Sequence, residues 1–320
     1  MKQIKSIQEQ ISELDTVEYK SLLYQFEGEI KGSGLHPNTI LSSVSDVKDL
    51  FLFMENNLMI KSLARISYAD TEEYLDYLKV KPSERTKGKE NTIITASTYN
   101  HCLCSIKRFN RFLLANKRKS IAGNFKQIKA DHEIMDVLSM QEIQELFQIA
   151  ERFSDSKKTL KYLAILSIGF GAGLRAGEIT NVDIKDVNLN TAQIHVRKVK
   201  NRKARVVPIA DCFLLHIKRY LQFVREEIDT SETALLLNRE EMRISDQSLR
   251  YCLRELISLS GISKTVGLHT LRRSYGTNLY LNGFALSQIQ QLMGHSVQDS
   301  TEIYIILSKQ IEAQQTLKVA

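Results

Sequence analysis

Apolar residues recur along most of this chain at intervals of three and four, the spacing of amphipathic helices. Ile40, Val44, Val47, Phe51 and Met54 follow Pro37 and Asn38, which predicts a helix with Asn38 as its N-cap. Tyr74, Leu75, Tyr77 and Leu78 follow Asp70 and Glu73, which read as a capping box. From Thr98, the set Tyr99, Leu103, Ile106, Phe109 and Leu113 predicts a further helix. Residues 81–91 are polar and broken by Pro82 and Gly88, the composition of a loop. A second polar stretch, 126–136, precedes Ser139, which can cap a helix with Glu142 in the reciprocal position. The domain boundary is therefore placed near residue 132, giving a helical domain over 1–132 and a second domain over 133–320.

In the second half, residues 162–170 read as an apolar helix stopped by Gly171 and Gly173, with a new helix opening at Leu174. Between Ala192 and Ile209 the period shifts toward two. Ile194 and Val196 lead into a basic tip (197–205), then Val206, Val207, Pro208 and Ile209 return, which predicts a hairpin with Pro208 on an edge or at a strand end. Helical periodicity resumes at Leu214 and continues to the C-terminus. The expected fold class is mainly α with a small β-hairpin in the C-terminal domain.

Three prolines and 14 glycines in 320 residues agree with a helical chain, and 43% hydrophobic with 25% charged residues is ordinary for a globular one. The net charge of +7 adds a preference for an anionic partner such as nucleic acid. No apolar run reaches the roughly 18 residues of a membrane span, and Met1 to Ile7 is polar without an apolar segment behind it. Cys102, Cys104, Cys212 and Cys252 lack metal-ligand spacing and are read as buried or inert free thiols of a reducing compartment, so the cytoplasm is the expected location and no metal site is expected. Lys107, Arg108 and Arg111 share the polar face of the helix after Thr98. Such a cluster is either a solvated face or a contact with the phosphate backbone.

The Gly-rich run 169–177 (GFGAGLRAG) has neither the spacing nor the preceding strand of a nucleotide-binding loop. Its Arg175 falls at a helix N-terminus, where its charge opposes the macrodipole, so a role for it requires partners. His269 and Arg272 stand three apart on a helix whose apolar stripe is Leu268, Leu271, Tyr275 and Leu279. A short helix over 287–293 is closed by Gly294, with His295 directly after it and Tyr304 nine residues further on, four after a cap at Ser300.

In this order, Gly173-Leu174-Arg175-Ala176-Gly177-Glu178, a lysine on a hairpin tip, His269-Thr270-Leu271-Arg272, Gly294-His295 and Tyr304 resemble the tyrosine recombinase (phage integrase) family. The resemblance reaches the N-terminal half, where residues 34–39 and 98–100 are similar to helix starts of the family's SAM-like DNA-clamping domain. It implies a catalytic set of Arg175, Lys200, His269, Arg272, His295 and Tyr304. Tyr304 would be the nucleophile, forming a 3′-phosphotyrosyl intermediate with a free 5′-hydroxyl. The two arginines and His295 would bind the non-bridging oxygens, Lys200 would protonate the leaving oxygen, and His269 would assist proton transfer. The tip offers Lys198, Lys200 and Lys203; counting back from Arg205 and Val207-Pro208 selects Lys200, and leaves Arg202 and Lys203 as DNA contacts. Glu178 is read as a structural partner of the site. Arg273 stands where relatives often carry histidine, and Ile305-Ile306 replaces a common Thr-His; neither removes an essential group.

The resemblance further implies a simple two-domain, Xer-like enzyme without an arm-binding module, acting on double-stranded DNA core sites and needing no cofactor. Residues 308–317 would form a tail helix docking in trans to couple four protomers, and an accessory recombinase or DNA-bending factor is a further expected partner. Two rivals stand beside it: a type IB-like topoisomerase, which shares the chemistry, and an architectural DNA-binding factor that retains the fold without catalysis.

Overall fold

The computed structural model describes residues 6–81, 93–129, 136–198, 203–294 and 303–309. The chain divides into two compact units, Met1–Glu133 and Ile134–Ala320, each with its own apolar core. The described residues are mostly helical with a small three-stranded sheet; the helical character and the hairpin are as the periodicity predicts.

In the first unit, α1 (Ile7–Ser12), α2 (Val17–Gly32), α3 (Pro37–Asn56), α4 (Tyr68–Val80) and α5 (Ala96–Ala115) enclose an aromatic core. Tyr19 stacks on Phe51 at 4.1 Å between ring centroids, and Phe109 meets both Phe26 and Phe51 edge-on. The caps differ in position from those expected. His36, not Asn38, caps α3 by accepting the Asn38 N–H at Nδ1, because Pro37 takes the first helical position, where no donor is needed. In α4 the N-cap is Ser67, and Asp70 serves as its N3 partner, so the box lies three residues before the expected pair. Thr95 caps α5 by accepting the Thr98 N–H.

The polar face of α5 is used largely within this unit. Asn110 Oδ1 accepts the N–H groups of Ile121 and Ala122, and Asn100 exchanges two hydrogen bonds with the Ile128 backbone. Lys107 donates to the Phe125 carbonyl at 2.7 Å and Arg108 to Ser43 Oγ at 2.6 Å, while Arg111 is exposed. Most of the expected loop over 81–91 lies outside the described residues.

The second unit opens with the expected capping box, Ser139 with Glu142, at the start of α6 (Met140–Glu151). The apolar helix ahead of the glycines begins earlier than expected. α7 (Ser156–Leu166) is capped by Asp155 and runs into one wide turn over Ser167–Gly171. Gly173 follows with φ of +58°, and a Cβ there would lie 2.2 Å from the Tyr275 ring, so both its backbone and its neighbour require glycine. Arg175, rather than Leu174, is the residue immediately before α8 (Ala176–Asn181).

The sheet has antiparallel order β1 (Val187–Asn188), β2 (Gln193–Val196), β3 (Arg205–Pro208). Ile194 pairs with Val207, both fully buried, and Pro208 sits on the edge strand as predicted. β1 was not expected. Nor is the chain helical throughout after Leu214. α9 (Asp211–Tyr220) ends in a wide turn over Leu221–Arg225, and isolated bridges at Ala234, Leu237 and Arg243 precede α10 (Asp246–Ser260). α11 (Leu268–Leu281) and α12 (Leu286–Met293) complete the named helices, and residues 303–309 form a last helical segment. On α11 the buried stripe includes Leu268, Leu271 and Tyr275, whereas Leu279 is only partly covered. Cys102 and Cys252 are buried, but Cys104 and Cys212 are exposed. No helix among the described residues is long and apolar enough to cross a membrane.

Candidate active site

The C-terminal end of α12 presents three successive backbone carbonyls, and each is taken by a different arginine. Arg205 Nε donates to Leu292 O at 2.8 Å, Arg272 Nη2 donates to Met293 O, and Arg175 Nη2 donates to Gly294 O at 3.0 Å. The last carbonyls of a helix have no partner inside it and carry the negative end of its dipole, so cations are favoured there. Gly294 closes α12 in the left-handed conformation, as predicted. Arg272 also donates to Gly173 O at 2.7 Å, tying α11 to the turn before α8.

One carboxylate holds these guanidinium groups together. Glu178 Oε1 accepts from Arg175 Nη1 and Arg205 Nη1, each at 2.9 Å. Its Oε2 accepts from the Arg175 N–H at 2.9 Å and Arg205 Nη2 at 2.8 Å, and lies 3.7 Å from Arg272 Nη1. The Glu178 side chain is 5% exposed, and burial by itself would raise its pKa. The Arg205 hydrogen bonds, the Arg175 N–H and both charges outweigh that and hold it at about 2. Burial, then the charge of Arg175, lowers Arg272 to about 9, which leaves it a cation at neutral pH.

Tyr304 is 2% exposed. The hydroxyl end of its ring packs against α11 at Gly276, where an added Cβ would stand 2.4 Å from the ring carbon bearing the hydroxyl. Gly276 follows Arg272 by one helical turn, which brings the phenol beside the arginine cluster. Burial raises the Tyr304 pKa; Arg272, Arg175 and Arg273 pull the other way without cancelling it. The phenol is therefore neutral at ordinary pH and needs a proton acceptor to act as a nucleophile. His269 lies on the exposed side of the first turn of α11. Partial covering of its ring, then the charges of Arg272, Arg273, Arg250 and Arg175, lowers its pKa, so the neutral, proton-accepting form prevails. Arg273 donates to Asp136 O and Thr270 Oγ1.

Of the six residues singled out from the sequence, Arg175, Arg272 and Tyr304 are drawn into one place, with His269 one turn away along α11. Lys200 and His295 lie outside the described residues, as do Arg202, Ser300 and 310–320 of the tail. Lys198 and Lys203, which flank the hairpin tip, are exposed. Two members of the arrangement were not picked out as site residues. Arg205 served only as a landmark on the hairpin, and Gly276 has no local mark beyond being a glycine on an apolar helix. What could have drawn attention to Arg205 is its place where the basic hairpin tip passes into an apolar edge strand, as the first residue of β3.

The profile of the phage integrase family matches residues 136–310, and the chain belongs to that family. Among its relatives, tyrosine recombinase XerD of Oceanobacillus iheyensis is 28% identical over 284 residues, covering 86% of this chain and 90% of the relative. Tyrosine recombinase XerC of Thermodesulfovibrio yellowstonii is 27% identical over 256 residues, covering 73% and 82%. In fold, the chain is similar to the XerH site-specific recombinase bound to palindromic difH substrate, with a TM-score of 0.70 at 18% identity over 95% of this chain and 97% of that one. It is also similar to a lambda integrase dimer bound to a COC′ core site, with a TM-score of 0.66 at 15% identity over 89% and 94%.

Proposed function

We propose that this chain is a Xer-like site-specific recombinase that cuts and rejoins double-stranded DNA through Tyr304. The observation that carries this reading is the placing of a buried phenol beside two arginines that are already held by backbone carbonyls. In the cleavage step, Tyr304 Oη forms a bond to the scissile phosphorus while the bond from phosphorus to the 5′-oxygen breaks. The phenolic proton passes to neutral His269, and a lysine of the hairpin tip, Lys200, protonates the departing 5′-oxygen. Negative charge grows on the non-bridging oxygens as the phosphorane forms, and Arg175 and Arg272, joined by His295, stabilise it. A guanidinium has five N–H donors, so fixing its plane on two acceptors orients the group without exhausting it. Rejoining reverses the step: a 5′-hydroxyl attacks the 3′-phosphotyrosyl bond, so no external energy source is required.

The first unit, 1–133, would clamp the core site, with Arg111 the most open member of the α5 cluster for a phosphate contact. Lys107 and Arg108 would reach DNA only by leaving Phe125 O and Ser43 Oγ. Arg202 and Lys203 would meet DNA from the hairpin tip. The C-terminal tail would link four protomers on two duplexes, with an accessory recombinase or DNA-bending factor as a further partner.

The test is covalent capture from a library of nicked duplexes with randomised cores, incubated with the full chain. A recombinase yields an adduct at one defined sequence. Adducts scattered over many sequences would identify a topoisomerase, and no adduct with DNA still bound would identify an architectural factor.

A further inference from the structure

We propose that Arg205 is a positioning residue for phosphoryl transfer, acting through Glu178 on Arg175 and Arg272; the inference rests on the recombinase reading above. Arg205 presents a bidentate fork to Glu178, with Nη1 and Nη2 at 2.9 and 2.8 Å from the two carboxylate oxygens. That geometry fixes the plane of the carboxylate. The same oxygens hold the Arg175 side chain and its backbone N–H, so the orientation of Arg175 follows from that plane. Nε anchors Arg205 itself on Leu292 O, the carbonyl next to those used by Arg272 and Arg175.

Charge gives a second, independent reason. Glu178 is buried among three guanidinium groups, and with only Arg175 and Arg272 beside it one of their two charges would be cancelled. Arg205 supplies the compensating charge from β3, so the pocket keeps two positive charges for an incoming phosphate. Removing Arg205 therefore does more than delete a contact. It frees Glu178 to pair with Arg175 and Arg272 and to compete with the phosphate for them.

The experiment measures single-turnover adduct formation by the full chain on the nicked duplex recovered from the randomised library. The variants are Arg205→Met, Arg205→Lys, Glu178→Gln and the Arg205→Met/Glu178→Gln pair. Arg205→Met is expected to slow adduct formation about 100-fold, the scale of losing one transition-state donor, while DNA affinity stays within about threefold. Arg205→Lys, which keeps the charge but loses the fork, is expected to lose about tenfold. The pair is expected to be faster than Arg205→Met alone, since it lacks the competing carboxylate charge. Arg205→Met cleaving within about threefold of the unmodified chain would overturn the proposal, as would a pair slower than Arg205→Met alone. Should Arg205→Met not fold, Arg205→Lys is compared on a scissile phosphodiester and a scissile methylphosphonate, which has one non-bridging charge fewer. A deficit that shrinks on the methylphosphonate supports positioning of the arginines; an equal deficit on both overturns it. If instead Tyr304→Phe still forms the adduct, the recombinase chemistry itself is misassigned, whatever the Arg205 variants do.

Discussion

Arg175, Arg272 and Arg205 are held on neighbouring carbonyls of one helix end, and Tyr304 rests against the helix that carries Arg272. Donors held by the protein's own acceptors need little reorganisation as charge develops. The seat of the phenol depends on the missing side chain at Gly276. Gly276→Ala is expected to displace Tyr304 and lower adduct formation about tenfold or more, since overpacking a filled site costs about 1–3 kcal/mol. Covalent capture with the nicked duplex checks this, and an unchanged rate would show that the phenol does not need this seat. His269 has a pKa below the usual 6.5, from partial covering and then the surrounding arginines. As the acceptor of the Tyr304 proton it works only when neutral. The cleavage rate should therefore fall with acid only at a lower pH than an ordinary imidazole would set, and His269→Gln should remove that acid limb. A limb that survives the substitution would assign it to another group.

At the scale of elements, α8 links the site to stability through Glu178. Its pKa of about 2 lies below the ordinary 4.5, so the stabilisation is fully present above about pH 4.5 and is lost as pH falls toward 2. The shift corresponds to about 3 kcal/mol at neutral pH. Glu178→Gln should be less stable at pH 7 and show a shallower loss between pH 4.5 and 2. Urea unfolding followed by circular dichroism across that range measures it, and identical pH slopes in the two proteins would contradict the role of this carboxylate. The elements also show what can be read from sequence. The Ser139 and Glu142 box was legible because both halves of a capping box lie within one turn. The caps of α3 and α4 were displaced because several hydrogen-bonding side chains crowd each start: His36 beside Asn38, and Ser67 three residues before Asp70. β1 has two residues, too few for a period to register. The Arg205 fork spans 27 residues to Glu178 and its Nε spans 87 to Leu292, so neither contact leaves a mark on local spacing.

At the scale of the whole molecule, order and spacing of Arg175, His269, Arg272 and Tyr304 sufficed to place the chain in its family, whereas the electrostatic arrangement around Glu178 required the folded chain. The charge of +7 adds an expectation for binding: affinity for duplex DNA should fall steeply with salt, as lysines and arginines displace counterions from the phosphates. Titration of a fluorescent duplex at rising potassium chloride reads the slope, and a flat response would argue against backbone contacts. The most direct test of the account is to trap the covalent adduct on the nicked duplex, digest it with protease and locate the attached nucleotide by mass spectrometry. The account predicts a 3′-phosphate link on the peptide containing Tyr304, and loss of the adduct with DNA binding intact in Tyr304→Phe. A nucleotide on any other residue, or an adduct that persists in Tyr304→Phe, would contradict it.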